Sequence, residues 1–175
     1  LLGNSTTFES YDPNTNTWDT LPVTPATVSD GAAITSTDSS TLYILRGGTS
    51  NTTNNFWKYN TTKGEWTTLT STPTAVGAGG AITYPGSGDF LYVFKGNNTT
   101  TFWKYQISTN TWNPTTPAVA PAAVQGGGAL VSVGGNIYAF RGNSTSTFWK
   151  YTVGSDTWSS LTSPAWTSAG NVTSG

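Results

Sequence analysis

The chain of 175 residues contains no histidine and no cysteine. Without them the commonest general base, the thiolate nucleophile and the usual zinc ligands are missing, so Ser-His-Asp hydrolysis, thiol chemistry and a zinc centre are excluded. The lack of cysteine also removes any disulfide framework, and the redox compartment cannot be read from it. Charge is scarce: seven basic and eight acidic residues make up 9% of the chain and leave a net charge of -1. The basic residues are dispersed, which gives no electrostatic footprint for nucleic acid or an anionic membrane. No apolar run is long enough to span a bilayer and no basic-then-apolar leader is present, so the chain reads as soluble, and as mature or a fragment.

The carboxylates do not assemble a catalytic site either. Glu9, Asp12, Asp19, Asp30, Asp38, Glu65, Asp89 and Asp156 mostly sit beside turn residues or at strand ends. A glycosidase needs two carboxylates about 5–10 Å apart across a cleft, and no pair recurs or clusters to suggest one. Asp12 lies in YDPN, where an Asx turn is the ordinary explanation, and Asn60, Gln106 and Thr152 replace it in related segments. The expectation is a protein that is not an enzyme and needs no cofactor or metal.

What is present is small, polar and periodic. Nineteen Ser, 35 Thr and 14 Asn make 68 of the 175 residues, so hydration rests on hydroxyls and amides. Tyrosine and tryptophan recur with six residues between them at Tyr11/Trp18, Tyr59/Trp66, Tyr105/Trp112 and Tyr151/Trp158, and the Trp-to-Trp steps are 48, 46 and 46. One supersecondary unit is therefore copied about four times. Proline leads glycine by six residues at Pro25/Gly31, Pro73/Gly79, Pro121/Gly127 and Pro164/Gly170. GAAIT, GGAIT and GGALV open the full copies at Gly31, Gly79 and Gly127. LYILRGG, LYVFKGN and IYAFRGN follow, and then FWKY at Phe56, Phe102 and Phe148. Each copy offers four short segments rich in β-branched and aromatic residues between Gly, Asn, Ser, Thr and Pro, and none carries a helical period.

Four short strands per repeat of about 45 residues is the signature of a propeller blade. The order of double glycine, tyrosine and then tryptophan, clearest in YDPNTNTW at Tyr11, resembles the kelch repeat over nearly the whole chain. The double glycine is intact only at Gly47–Gly48; Gly3-Asn4, Gly96-Asn97 and Gly142-Asn143 replace it, and Asn tolerates positive φ as Gly does. The resemblance implies an all-β, four-bladed β-propeller of kelch-like repeats as a single domain, 1–175. Its blades would run approximately 1–30 (partial), 31–78, 79–126 and 127–169, with 170–175 opening the closing blade. Kelch-like propellers include a copper oxidase, but its His and Cys ligands have no counterpart here.

The aromatic columns read as structure. A strand with FWKY sends Phe and Lys to one face and Trp and Tyr to the other, and in a propeller both faces meet neighbouring blades. Each aromatic buries on the order of 150–250 Å², so at ~25 cal/mol/Å² it contributes roughly 4–6 kcal/mol as an upper bound. Trp57, Trp103 and Trp149 as sugar-stacking platforms are the functional alternative. Arg46, Lys95 and Arg141 form one basic column and Lys58, Lys104 and Lys150 another. Either could make a cationic girdle, though aliphatic stems covering aromatic faces explain both, and Leu2 and Ser10 break the columns in the first copy.

Sequons N-x-S/T occur at Asn4, Asn51, Asn60, Asn97, Asn98, Asn143 and Asn171. Asn4, Asn51, Asn97, Asn98 and Asn143 fall one to four residues after the column glycine, at the turn between second and third strands, where an exposed hairpin tip can hold a bulky sugar. Asn is also simply a good turn residue in a Thr-rich chain. With glycosylation goes an extracellular or cell-surface location.

The phase of the repeat is informative too. The first copy starts at LLGN without its innermost strand, and the other end reaches Gly170 in the column that elsewhere opens an inner strand. The closing blade is therefore expected to be shared between the N- and C-terminal ends or completed by a neighbouring subunit. Against the 15-residue Gly127-to-Gly142 interval, joining Gly170–Gly175 to Leu1–Gly3 gives an interval of only eight, so the closing hairpin is either abbreviated or completed from elsewhere. Together these features predict a structural module of an extracellular, N-glycosylated fibre, sheath or surface layer. Its partners would be copies of itself or tandem propellers together with attached glycans, by propeller-to-propeller contacts or strand complementation. The alternatives are a carbohydrate- or protein-binding, lectin- or adhesin-like propeller, and a piece of a secreted enzyme whose catalytic residues lie elsewhere.

Overall fold

The computed structural model describes residues 1–48, 53–113 and 117–164, and all the regular structure among them is β. A hairpin comes first, β1 (Glu9–Asp12) with β2 (Thr17–Thr20). Three up-and-down antiparallel sheets of four strands follow. They are β3 (Ala33–Ser36), β4 (Thr41–Leu45), β5 (Phe56–Asn60) and β6 (Glu65–Thr68); then β7 (Ala81–Thr83), β8 (Phe90–Phe94), β9 (Phe102–Gln106) and β10 (Thr111–Asn113); then β11 (Ala129–Val133), β12 (Asn136–Phe140), β13 (Phe148–Thr152) and β14 (Thr157–Ser160). The innermost strands lie side by side, β3 against β7 and β7 against β11. Four-stranded meanders set side by side through their first strands are compatible with a small propeller-like fold.

Register explains why the sheets stack. In the first full sheet Phe56 pairs with Leu45 and Lys58 with Tyr43, on one face, while Trp57 pairs with Ile44 and Tyr59 with both Leu42 and Trp66, on the other. The Tyr face turns back: Phe8 packs on Tyr59 and Trp66 at ring distances of 5.0 and 5.2 Å. The Phe face turns forward, with Phe56 on Tyr105 and Trp112 at 4.9 and 5.2 Å. Phe102 repeats this on Tyr151 and Trp158, both at 5.0 Å. Each of the three buried clusters therefore lies between successive sheets. The core is a series of seams.

The proline-to-glycine columns have a backbone reason. Gly31 and Gly79 take φ of +81° and +85° at the start of the inner strands. A Cβ on Gly31 would fall 2.1 Å from the Gly77 carbonyl oxygen, and one on Gly79 2.0 Å from that of Gln125. Only glycine lets one sheet's opening turn lie against the next one's backbone. Preceding linkers are pinned to earlier turns: Val28 and Val124 amides donate to Ser5 and Thr99, and their carbonyls accept from Asn4 and Asn98.

Candidate functional site

The seams hold more than packed rings. Trp112 Nε1 donates to the Thr70 carbonyl at 2.9 Å, while Asn110 Oδ1 accepts the Thr70 amide at 2.9 Å and the Tyr105 hydroxyl at 2.7 Å. One linker residue is thereby gripped through both its backbone groups. The next seam is the same: Trp158 Nε1 donates to the Ala118 carbonyl at 2.9 Å, and Asp156 Oδ1 accepts the Ala118 amide at 2.8 Å and the Tyr151 hydroxyl at 2.6 Å. Tyr, Asn or Asp, and Trp from one hairpin form a clamp for the preceding linker.

Where the clamp has a side-chain acceptor it sits two residues before the tryptophan, a position that Gly64 takes in the remaining hairpin. Asn16, Asn110 and Asp156 have φ of 56°, 54° and 51°, and Gly64 has 69°. The left-handed turn that joins third and fourth strands needs Gly, Asn or Asp, and the side chain it turns inward is what the seam uses. Burial raises the Tyr105 and Tyr151 hydroxyl pKa values, and Asp156 adds to the rise at Tyr151. The Tyr151 hydrogen bond, and then the Ala118 amide, hold Asp156 below the usual carboxylate range.

The hairpin at the other end carries the same clamp without an occupant among the described residues. Tyr11 donates to Asn16 Oδ1 at 2.9 Å and packs on Trp18 at 5.1 Å. Tyr11 and Trp18 are nevertheless 46% and 67% exposed, where Tyr59, Tyr105 and Tyr151 are no more than 2%. Ile34 is exposed where its column mate Ile82 is buried. Among the described residues β1 pairs only with β2, which leaves its other edge open. Leu1, Leu2, Thr7, Glu9 and Trp18 line a cleft of about 250 Å³ there. At the far end of the row, Val131 and Val133 are exposed and Phe148 is half-buried, stacked on Tyr138 and Phe140 of its own sheet.

The other residues singled out by sequence fall into separate places. Asn97, Asn98 and Asn143 are exposed in the turns between β8 and β9 and between β12 and β13, with φ of 51°, 57° and 56°. Asn4 is also exposed, at φ 54°. Asn60 stands apart at the end of β5, where its Oδ1 caps the amides of Thr62 and Lys63. Asn51 and Asn171 lie outside the described residues, as does 170–175, the segment expected to open the closing blade. Trp57, Trp103 and Trp149 are 2, 5 and 3% exposed, which leaves no ring face for a sugar.

Three members of the basic columns are engaged within the fold. Arg46 and Arg141 reach linker carbonyls, Thr27 at 3.0 Å and Ala123 at 2.9 Å, and Lys104 lies 4.8 Å over the Phe90 ring. Carboxylates serve turns: Asp12 accepts from the Asn14 amide, Asp38 from Ser40, and Asp89 from Ser108 and Gln106. The Ser40 amide and hydroxyl bring Asp38 down to about 2. Among the described residues no group of His, Cys, Asp or Glu could hold a metal ion, and no helix is long and apolar enough to cross a membrane.

The linker clamp is not evident from sequence, although a signal for it is present. The column two residues before each tryptophan reads Asn16, Gly64, Asn110, Asp156, the residue types that tolerate positive φ.

A row of four-stranded antiparallel meanders that share seams makes the chain all-β and is compatible with a propeller-like class. No family model matches the chain, and no curated protein matches it. Among solved structures it is similar to that of YjhT, with a TM-score of 0.66 and 18% identity over 83% of this chain and 54% of that one. The likeness concerns the fold, and this chain spans about half the length of that protein.

Proposed function

We propose that the chain is a non-catalytic structural module of an extracellular, N-glycosylated fibre, sheath or surface layer, built of kelch-like blades as a small four-bladed propeller. Its closing blade is completed between the two ends or by a neighbour. The observation that carries the reading is the β1–β2 hairpin: a two-stranded sheet where the others have four, with one edge of β1 unpaired among the described residues and its Tyr11/Trp18 face uncovered. An open edge beside an exposed aromatic pair favours addition of strands or of another sheet. Exposed Asn97, Asn98 and Asn143 on hairpin tips favour sugar attachment at the surface. Every carboxylate hydrogen bond described above serves a turn or a seam, which favours a scaffold over a catalyst.

Electron microscopy of the native material tests the assembly. Regular filaments or sheets with a propeller-sized repeat are expected; monodisperse monomers at high concentration would sink the reading. Peptide mass analysis tests the sugars, with mass shifts expected on the Asn97/Asn98 and Asn143 peptides.

A further inference from the structure

We infer that the Tyr11/Asn16/Trp18 clamp receives Thr162 of a second copy of this chain, so that the copies join head to tail through a seam built like the internal ones. The inference rests on the assembly reading above and names its contact.

Two internal seams show in full what the clamp grips, one linker residue by both its amide and its carbonyl. The position of that residue follows from the backbone. The amides of Leu21, Leu69 and Leu161 donate to the carbonyls of Phe8, Phe56 and Phe148 at 2.9, 2.9 and 3.0 Å, so the three leucines are equivalent. The next residues are Pro22 and Thr70, gripped by Trp66 and Trp112, and Thr162, which is exposed. Thr162 thus stands at the gripped position in the last sheet, and Trp18 stands at the position of the donors Trp66, Trp112 and Trp158. Phe148 likewise stands where Phe8, Phe56 and Phe102 stand. Those three each meet the Tyr and Trp of the following hairpin, whereas Phe148, among the described residues, stacks on rings of its own sheet.

One end of the row therefore carries the clamp and the other carries what a clamp holds, and the exposure of Tyr11 and Trp18 shows that the described residues do not fill it. A second copy supplies the missing half without any new chemistry. A net charge of -1 per chain opposes the approach little. The row also matches 54% of a chain of the same fold, so two rows have about the extent of that one. Head-to-tail contacts close into a ring where the rotation permits and otherwise propagate.

The test uses the full chain and two variants, Trp18→Ala, which removes the clamp, and Phe148→Ala, which removes the held face, each checked for folding by circular dichroism. Light scattering of the wild type is expected to show a concentration-dependent species of twice the 18.4 kDa chain mass or more. Each variant alone is expected to associate about tenfold or more weakly. An equimolar mixture of the two retains one intact seam and is expected to form a one-to-one pair. If Phe148→Ala does not fold, Thr162→Pro, which removes the amide that Asn16 accepts, takes its place. A wild type that is monomeric at high concentration, or a mixture that does not pair, overturns the inference. If Trp18→Ala still builds the same native assemblies under the electron microscope, this seam is wrong and the structural-module reading stands.

Discussion

Gly64 stands opposite Pro22: a Cβ on Gly64 would lie 3.7 Å from the Pro22 ring, and Trp66 Nε1 donates to the Pro22 carbonyl at 3.0 Å. In the other two seams an Asn or Asp side chain accepts an amide from the gripped residue. Here the gripped residue has no amide hydrogen and the clamp has no side chain to accept one. Both partners of one hydrogen bond are absent together, which leaves no buried group unpaired.

That pairing predicts a coupled rescue. Pro22→Thr alone presents an amide with no acceptor, and Gly64→Asn alone presents an acceptor served only by Tyr59, whose hydroxyl would lie 3.8 Å from the new Cβ. Made together they recreate the Thr70–Asn110 arrangement. A double-mutant cycle in denaturant unfolding is expected to show favourable coupling of about 0.5–1.5 kcal/mol. Additive effects would mean that the hydrogen bond contributes nothing to the seam.

Tryptophan-to-phenylalanine changes should separate filled clamps from the empty one. Trp66→Phe, Trp112→Phe and Trp158→Phe each remove the hydrogen bond to a linker carbonyl and shrink a packed ring, so each is expected to cost about 1–3 kcal/mol. Among the described residues Trp18 grips no linker carbonyl, and its ring packs on Tyr11. Trp18→Phe in dilute solution is expected to stay within about 0.5 kcal/mol of wild type. Equal losses at all four positions would contradict the seam asymmetry.

The sequence disclosed the repeat, the meander and the facing of FWKY, because period-2 alternation and turn residues are local properties. Phe8 shows the limit. It belongs to the same column as Phe56, but FESY hides it, and only its contacts with Tyr59 and Trp66 reveal the match. The clamp was harder still, since the gripped residue lies about 40 residues from the acceptor and donor that hold it, as Thr70 does from Asn110. Trp57, Trp103 and Trp149 illustrate the converse: residue type alone suits sugar stacking, but the register turns them into a seam. What the sequence did reveal about the site was the Tyr-to-Trp column, and the exposed Tyr11/Trp18 pair is its first member.

Glycine substitutions should divide by backbone approach and not by φ alone. Gly79 at φ +85° and Gly134 at +57° both occupy the left-handed region. A Cβ on Gly134 meets nothing within 4 Å, whereas one on Gly79 meets the Gln125 carbonyl oxygen at 2.0 Å. Gly134→Ala is expected to cost about 1–2 kcal/mol, from the conformational penalty. Gly79→Ala must push adjacent sheets away from each other and is expected to cost more than about 3 kcal/mol or to prevent folding. Thermal unfolding of both variants checks this, and similar melting temperatures would refute close approach as the reason for the glycine column.

Acid should loosen the last seam through Asp156. Its carboxylate accepts from Tyr151 and the Ala118 amide, and these two donors hold its folded pKa below the usual carboxylate range. A group whose pKa is depressed by folding contributes stability that is full above its unfolded pKa, about 3.9, and is lost as pH falls through the folded value. Asp12, Asp38 and Asp89 are depressed as well, by the amide of Asn14, by the amide of Ser40 and by the hydroxyl of Ser108 respectively. The melting temperature is therefore expected to fall as pH drops from about 5 towards 2. Asp156→Asn isolates one share of that loss, because Asn110 performs the same task without charge and asparagine keeps the left-handed turn. The variant is expected to match wild type near pH 7 within about 1 kcal/mol and to lose less stability on acidification. An acid loss as steep as that of wild type would show that the Asp156 carboxylate, though held by two donors, does not contribute to the acid response.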